Sequence, residues 1–393
     1  MPVSLKIRKK NNSRLVILYL LGFLLAISTA LPAYIQSNFL GQFMSVSAVS
    51  LFFIIGNIFA IAAILIFPAG IKKTTNYFVT RVILVLYAVS FFGLALAHDS
   101  RSAFLSFMLL LVTVNLIWIN MDILVENFSL DFSTGQTRTI YFTAINAGWI
   151  LSPILSSYLI GKGGYALSFL VSAFLLIPFF FIFTWQGKKL KDKIKYQKES
   201  LPLTIKKMWR SKNMRGIFFI ALLLQLFYSS AMIYIPLYLF KNLGIGWDSL
   251  GLMFSIMLIP FVLIEIPAGI IADKYLGEKE ILYAGFSVLA ISLFLFYYIR
   301  VPNILIWTII LFSSRIGAAL IEAMRETYFF KIVDAKDIGY INIFRLTGPL
   351  GYLLGGGLAI LILTFLPLNY LFLLLAIIML SGFGFTASIK DTK

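Results

Sequence analysis

The sequence contains no cysteine and only one histidine, His98. A chain without cysteine forms no disulfide and offers no thiolate ligand, and a single histidine argues against a metal site built on imidazole. Charged residues are scarce as well, at 12% of the 393 residues against roughly 25% in soluble domains. The chain also lacks a Gly-rich nucleotide loop, a Ser-His-Asp set and a polar domain that could hold ATP. We therefore expect neither an enzyme nor an ATP-driven pump, and we expect no cofactor.

Apolar residues dominate the chain instead, at 60% of the total against roughly 45–50% in soluble proteins. They form long runs such as Leu15–Ser37 and Ile217–Phe240, and about 20 helical residues cross the core of a bilayer. Inside lipid each backbone polar group has to be satisfied within its own segment, so such runs form helices. We predict an all-α membrane protein with twelve transmembrane helices. The predicted spans are 15–37, 43–68, 77–97, 102–126, 138–161, 165–186, 215–240, 249–272, 280–299, 303–324, 338–364 and 369–388.

Lysine and arginine are distributed unevenly between the two sides that this layout defines. If the chain starts in the cytoplasm, 27 of the 33 Lys and Arg residues lie in cytoplasmic segments and 4 lie in outer loops. This split predicts a multi-pass protein of the cell membrane with both termini in the cytoplasm. The net charge of +17 does not indicate a nucleic-acid partner, because the basic residues flank membrane spans rather than form one face. The expected surroundings are the lipid bilayer, and we expect a monomer.

A polar, lysine-rich segment at residues 186–215 divides the predicted spans six and six. We therefore assign an N-terminal six-helix bundle at 1–186, a basic cytoplasmic linker at 187–214 and a C-terminal six-helix bundle at 215–393. The linker is expected to be solvated and to carry a helix at the membrane surface, where anionic lipid attracts each Lys by about 1 kcal/mol. A regulatory or partner-binding loop is the alternative interpretation.

Two related polar turns lie half a chain apart. The stretch Ile266–Lys279 ends an apolar span in a short polar turn, and Phe67–Ile71 repeats its beginning in the first half. Such a repeat is typical of a transporter built from two duplicated halves. The turn resembles the motif that the major facilitator superfamily carries between the second and third helices of each half. The matching residues are Gly269, Asp273, Lys274, Gly277 and Lys279.

This resemblance implies two pseudo-symmetric six-helix bundles, with the polar turn as a cytoplasmic gate. In that arrangement Asp273 faces the inner end of the fifth helix near Arg138, where the helix dipole favours a carboxylate. A second segment, Gly148–Ser157, is similar to a fifth-helix motif of antiporters in the family, with serine at three glycine positions. Small residues of this kind also serve ordinary helix packing. The fourth-helix arginine motif of many antiporters is absent.

The resemblance also implies a central cavity lined by the first, fourth, seventh and tenth helices. The candidates for substrate contact on these helices are Tyr34, Asn115, Trp118, Gln225, Tyr228 and Arg315. Aromatic rings among a few polar groups suit a small amphipathic organic substrate.

Charged residues within the spans are the candidates for gating and ion coupling. Asp122 and Glu322 are the proton carriers we expect if transport is coupled to protons, whereas Arg315 keeps its charge and lies deepest in the membrane. Arg315 is expected to engage either an anionic group of the substrate or an acidic neighbour such as Glu322. For Asp122 and Glu322 the alternative is an ion pair at the inner membrane surface with Lys72, Lys73 or Lys274.

Together these features predict a secondary transporter that moves a small organic molecule by alternating access. Proton-coupled efflux or antiport is the first candidate. An uptake facilitator or symporter for a sugar or another metabolite is the alternative. A lipid-handling protein, whose cavity would open sideways to the bilayer, is an interpretation from a different class.

Overall fold

The structure is a computed structural model of the chain, and it describes residues 2–73, 76–128, 134–190, 201–333 and 338–391. Within these ranges the backbone is helical apart from short turns. In the first half the helices are α1 (Pro2–Ala33), α2 (Gln36–Leu40), α3 (Val46–Lys73), α4 (Asn76–Ala95), α5 (Ser100–Phe128) and α6 (Thr134–Leu190). In the second half they are α7 (Leu201–Arg210), α8 (Lys212–Leu237), α9 (Trp247–Lys274), α10 (Glu278–Tyr298), α11 (Ile304–Ile332), α12 (Ile338–Arg345), α13 (Thr347–Phe365) and α14 (Asn369–Ser388), with a π-helical turn at Tyr238–Asn242.

Eleven stretches among the described helices are long and apolar enough to cross a membrane. The protein is therefore a multi-pass membrane protein, as the hydropathy of the sequence predicts. One stretch, Ile140–Gly187, has 48 residues, where a single crossing needs roughly 20. Its helix is interrupted at Gly163 and Gly164, and Gly164 has a φ of 66°, which glycine adopts without steric conflict. The predicted fifth and sixth spans meet at this interruption.

Polar residues in the short turns determine where some of the long helices begin. Asp99 precedes α5, and its Oδ1 accepts a hydrogen bond from the Ser102 backbone N–H at 2.7 Å. Asn303 does the same for α11 through the backbone N–H of Ile306, at 3.1 Å. Each side chain satisfies an N–H group that has no partner inside its helix. Hydrogen bonds from Ser102 also hold the pKa of the Asp99 carboxyl below its usual range.

Packing divides the chain into two compact units. The first unit comprises Met1–Ile35 and Phe59–Lys195. Within it α1 packs against α6, and α4 packs against α5 and α6. A buried chain of hydrogen bonds joins α4 to α5, because Asn120 donates to Thr80, which in turn donates to its own helix backbone.

The small residues of α6 face α1 inside the first unit. A Cβ at Gly148 would lie 2.9 Å from the Ala26 Cβ, so glycine permits the two helices to approach closely. Further along, Ser156 Oγ donates a hydrogen bond to the Leu31 carbonyl at 2.6 Å. The segment Gly148–Ser157 thus contributes to the helix interface with α1.

The second unit comprises Gln36–Ile58 and Tyr196–Lys393. In it α8 packs against α11, α13 and α14, while α10 packs against α11 and α14, and α9 packs against α11. Small residues bring α10 and α11 together, since a Cβ on Gly317 would lie 2.7 Å from the carbonyl oxygen of Gly285. In the second unit the first long helix therefore packs against α13 and α14, as α1 packs against α6 in the first unit.

Large apolar side chains cover the outer faces of the helices. Leu105, Phe181 and Ile309 are 64%, 65% and 57% exposed, whereas Trp307 on the same helix as Ile309 is fully buried. Apolar surface of this extent is unfavourable in water and suits contact with lipid chains. Polar side chains such as Ser314 and Arg315 are buried on inward faces.

One predicted span lies on a longer helix than expected, and another, which the candidate crossing Gly339–Phe365 confirms, consists of two helices. The tenth span was predicted to end at residue 324, yet α11 continues to Ile332, so that Arg325 lies on the helix one turn after Glu322. The charged residues in this part of α11 form ion pairs along the helix surface and do not end the helix. The eleventh span is divided between α12 and α13, and Pro349 sits in the first turn of α13, where proline removes no needed hydrogen bond.

Candidate substrate and coupling site

The buried arginine predicted from the sequence lies in the interior of the second unit. Arg315 is eleven residues after the start of α11 at Ile304, which is about 16 Å along the helix axis. It is 2% exposed. Its Nη1 donates a hydrogen bond to Ser314 Oγ at 3.1 Å, and its Cζ lies 5.0 Å from the centre of the Phe227 ring on α8. Among the described residues, no carboxylate forms an ion pair with it.

A cluster of charged residues lies further along α11. Arg325 is also 2% exposed, and its Nη2 lies 3.1 Å from Glu322 Oε1 and 3.6 Å from Glu326 Oε1. Glu326 in turn receives two hydrogen bonds from Arg345 at the end of α12, at 2.8 and 3.2 Å. Such a two-pronged contact is the geometry in which arginine binds carboxylates most strongly. The cluster thus ties α12 to α11.

Helices α8 and α9 contribute to the same cluster. The Tyr228 hydroxyl on α8 donates a hydrogen bond to Glu322 Oε2. Glu265 on α9 lies close enough for the charges of Glu322, Glu326 and Arg325 to act on it. It makes no ion pair or hydrogen bond of its own within the described part of the chain. We refer to the six residues Tyr228, Glu265, Glu322, Arg325, Glu326 and Arg345 as the Arg325 cluster.

The Arg325 cluster holds three carboxylates and two guanidinium groups. It therefore carries one acidic group more than it can balance with its own arginines. Carboxylates at this depth are costly unless they are paired, protonated or reached by water. The arrangement can accept a proton, and it can hold these parts of α8, α9, α11 and α12 together.

Two of the predicted relationships can be located directly. Tyr228 and Glu322, predicted for substrate contact and proton coupling, are in contact with each other. Glu322, the acidic neighbour considered for Arg315, is instead bonded to Tyr228 and Arg325. Gln225 is half-buried on α8, and its backbone would touch a Cβ placed on Gly351 of α13.

The remaining candidates for substrate contact belong to the first unit. Tyr34 is buried and meets the ring of Trp149 edge-on, at 6.3 Å between ring centres. Asn115 is half-buried and donates to the carbonyl of its own helix at Leu111, at 2.8 Å. Trp118 and Asp122 are half-buried too, and their spacing from Asn115 places all three on one face of α5.

The predicted gate motif lies at the junction of α9 and α10. Gly269 is half-buried with open space where a Cβ would project, and Gly277 has a φ of 119°, a conformation that favours glycine. The backbone N–H groups of Glu278 and Lys279 donate to Asp391 Oδ1, at 3.1 and 3.2 Å. The side chains of Asp273, Lys274 and Arg138 lie outside the described part, so their predicted contact stays a prediction.

Sequence reasoning missed two of these residues. Arg325 was assigned to a loop, although its distance of three residues from Glu322 would have placed it beside that carboxylate once the helix was extended. Asp391 was missed because it lies more than a hundred residues from the helix start that it caps, and no local pattern indicates such a contact. The sequence did contain one sign of this contact. Gly277 has no side chain that could cap α10, so the cap has to come from another part of the chain.

The comparisons with known proteins concern most of the chain. A sequence profile described as the Major Facilitator Superfamily matches residues 135–250 and 217–390. Two structures of a POT family transporter are similar to this chain, one in complex with a thioalcohol-conjugated peptide and one with 5-aminolevulinic acid. The first has a TM-score of 0.75 at 15% identity and covers 95% of this chain and 94% of its own. The second has a TM-score of 0.74 at 15% identity, with coverage of 95% and 94%.

A third similar structure is that of the nucleoside transporter NupG in a mutant form. Its TM-score is 0.74 at 14% identity, and the match covers 96% of this chain and 100% of that chain. At these identities the likeness shows the fold alone. A search of curated protein sequences found no match. Because the family profile matches well over half of the residues, the chain belongs to the Major Facilitator Superfamily, whose members are transporters and not enzymes.

Proposed function

We propose that this protein is a secondary transporter that carries a small organic molecule across the cell membrane by alternating access. The observation that carries the proposal is the set of polar and charged side chains on the inward faces of α8 and α11, at Tyr228, Arg315 and Glu322. Charged groups at membrane depth are usually retained where they serve a substrate or ion pathway. Membership of a transporter family supports the same function.

The proposed architecture has twelve crossings in two six-helix bundles. The segment Ile140–Gly187 would cross twice, because Ile140–Gly163 and Gly164–Gly187 each have 24 residues (163 − 140 + 1 and 187 − 164 + 1), or about 36 Å of helix. An even number of crossings puts both termini on one side, and the 27 to 4 split of Lys and Arg favours the cytoplasm.

A thiol introduced as Lys162→Cys in this cysteine-free chain should react with impermeant reagents from outside; protection in intact cells would contradict this orientation.

For the coupling mechanism we propose proton-linked efflux or antiport, with Glu322 and Asp122 as the candidate carriers. Glu322 fits this role because it bonds to both Tyr228 and Arg325, and both contacts would weaken when its carboxylate takes up a proton. The segment from Gly269 to Lys279, in which the end of α9 joins the start of α10, is proposed as the cytoplasmic gate. The runner-up is an uptake facilitator or symporter for a sugar or another metabolite. Peptide and nucleoside transporters share the fold, so fold similarity favours neither substrate class.

The experiment starts from purified full-length protein in a neutral detergent. A panel of small organic compounds is screened for those that raise the melting temperature, since a ligand at 100 times its Kd stabilises the folded state by about 2.7 kcal/mol. The stabilising compounds are then tested for uptake into liposomes with and without an imposed pH gradient. Uptake driven by the gradient supports proton coupling, and uptake that ignores it supports the facilitator. Stabilising compounds that are never transported would refute the proposal.

A further inference from the structure

We propose that Arg315 binds the carboxylate of the transported molecule, which makes the substrate an organic monocarboxylate with an apolar body. This inference rests on the proposed function and deepens it by naming the substrate class. It is argued from residues of the second unit alone.

Arg315 has no acidic counter-charge beside it among the described residues. Arg315 is 2% exposed, and among the described residues its polar contact is a single hydrogen bond from Nη1 to Ser314 Oγ. A guanidinium group has five N–H donors and stays protonated at all physiological pH values. Four of its N–H donors therefore have no hydrogen-bond partner among the described residues, and its positive charge lies against the Phe227 ring with no carboxylate beside it. A buried cation in this state is unfavourable, and an anionic ligand would relieve it.

The second step is a comparison with the other buried arginine of α11. Arg325 is equally buried, but Glu322 and Glu326 lie within 3.1 and 3.6 Å of it. Glu322 is also bonded to Tyr228, so its lone pairs are directed at Tyr228 and Arg325 and not at Arg315. The fold thus provides carboxylates for one arginine and none for the other. Arg325 has the surroundings of a structural residue, and Arg315 has those of a binding residue.

The third step identifies the ligand chemistry. The Phe227 ring lies 5.0 Å from the Arg315 Cζ, and the residues one turn away on α11, Leu311, Ala318 and Ala319, are buried and apolar. A planar guanidinium in such surroundings binds a carboxylate through two parallel hydrogen bonds. One cation balances the single negative charge of a carboxylate. A phosphate monoester carries about 1.5 to 2 negative charges and would leave an excess. The aromatic and aliphatic neighbours favour an apolar body next to the anionic group.

The test uses purified full-length protein and measures its melting temperature with sodium benzoate, with benzamide, with sodium phosphate and with sodium chloride at equal ionic strength. Benzoate and benzamide have the same shape and differ in charge. We expect benzoate to raise the melting temperature and the other three to leave it unchanged. Arg315→Gln should weaken the apparent benzoate affinity at least tenfold, and Arg315→Lys should restore part of it. Arg300→Gln, which changes an exposed arginine of a loop, should bind benzoate as the unaltered protein does.

Several results would overturn the inference. Equal stabilisation by benzamide or phosphate would contradict the carboxylate class, and undiminished benzoate binding by Arg315→Gln would remove Arg315 from the site. Arg315→Gln should also be at least as stable as the unaltered protein without ligand, because it removes an unpaired charge; a marked loss of stability would reveal a structural partner instead. If Arg315→Gln does not fold, Arg315→Lys is measured in its place. A benzoate affinity of Arg315→Lys equal to that of the unaltered protein would contradict the contact through two parallel hydrogen bonds. Benzoate binding without transport of any compound would refute the proposed function and leave this site standing.

Discussion

The two buried arginines of α11 show how the surroundings of a residue determine its role. Both are 2% exposed, and both lie on one helix of the second unit. Arg325 touches Glu322 and Glu326, while Arg315 touches Ser314 and the face of Phe227. Removing one partner of a buried ion pair leaves an uncompensated charge, which is more costly than removing the pair as a whole. We therefore expect the same substitution to lower the free energy of unfolding at Arg325 and to cause no such loss at Arg315.

This difference gives a prediction with a built-in control. Arg325→Met should lower the free energy of unfolding by about 3–5 kcal/mol, because three carboxylates then share the remaining Arg345. Arg315→Met should cause no such loss. Thermal unfolding of the two purified variants in the same detergent measures the difference. Similar losses for both variants would contradict the assignment of Arg325 as a structural residue and Arg315 as a binding residue.

At the scale of the residue, the sequence predicted which side chains are polar and deep, but not their partners. Tyr228, Arg315 and Glu322 were chosen because the family resemblance places their helices around a cavity, and helical spacing put Arg315 and Glu322 on one face. That Glu322 bonds to Tyr228 across two helices depends on how α8 and α11 pack and on their rotamers, which no local pattern contains. The cap that Asp391 provides for α10 escaped prediction for the same reason. Contacts over long sequence distances require the tertiary structure.

Helices α10 and α11 illustrate the packing at the scale of the element. In a membrane, helices associate through close packing of small residues rather than through exclusion of water. A Cβ on Gly317 would lie 2.7 Å from the Gly285 carbonyl oxygen and 2.8 Å from the Leu289 backbone nitrogen. Both neighbours are backbone atoms, so a side chain at this position can be accommodated only if the two helices separate.

We predict that Gly317→Ala destabilises the protein by about 1–3 kcal/mol through this overpacking. Gly357→Ala on α13 is the control, because its Cβ would meet no atom within 4 Å. Alanine also forms helices more readily than glycine, so the control variant should be as stable as the unaltered protein or slightly more stable. Melting temperatures of the two variants test the prediction. A Gly317→Ala protein as stable as the control would show that α10 and α11 are not in close contact.

The elements were the most predictable part of this protein. Each crossing has to satisfy its backbone hydrogen bonds internally and needs about 20 apolar residues. These two requirements are enough to find the spans from hydropathy. Boundaries were less predictable where charged residues lie on a helix without ending it, as from Glu322 to Ile332 in α11. The break at Gly163 and Gly164 was predicted as a loop between two spans, and the structure places non-helical backbone at that point.

At the scale of the whole molecule, the chain consists of two compact units of packed helices, and it belongs to a family of transporters. Polar groups lie on inward helix faces, with Tyr34 and Asn115 in one unit and Tyr228 and Arg315 in the other. A carrier with a substrate site is the function that this distribution favours.

Counterflow in liposomes is the measurement that tests the carrier most directly. Purified protein is reconstituted into liposomes loaded with an unlabelled compound that stabilises it, and a trace of the labelled compound is added outside. A carrier that exposes one site alternately to the two sides exchanges the two pools, so the label should accumulate transiently above its outside concentration and then decline. Liposomes without protein should show no such overshoot. Label that rises only to the outside concentration, or does not enter at all, would contradict the account.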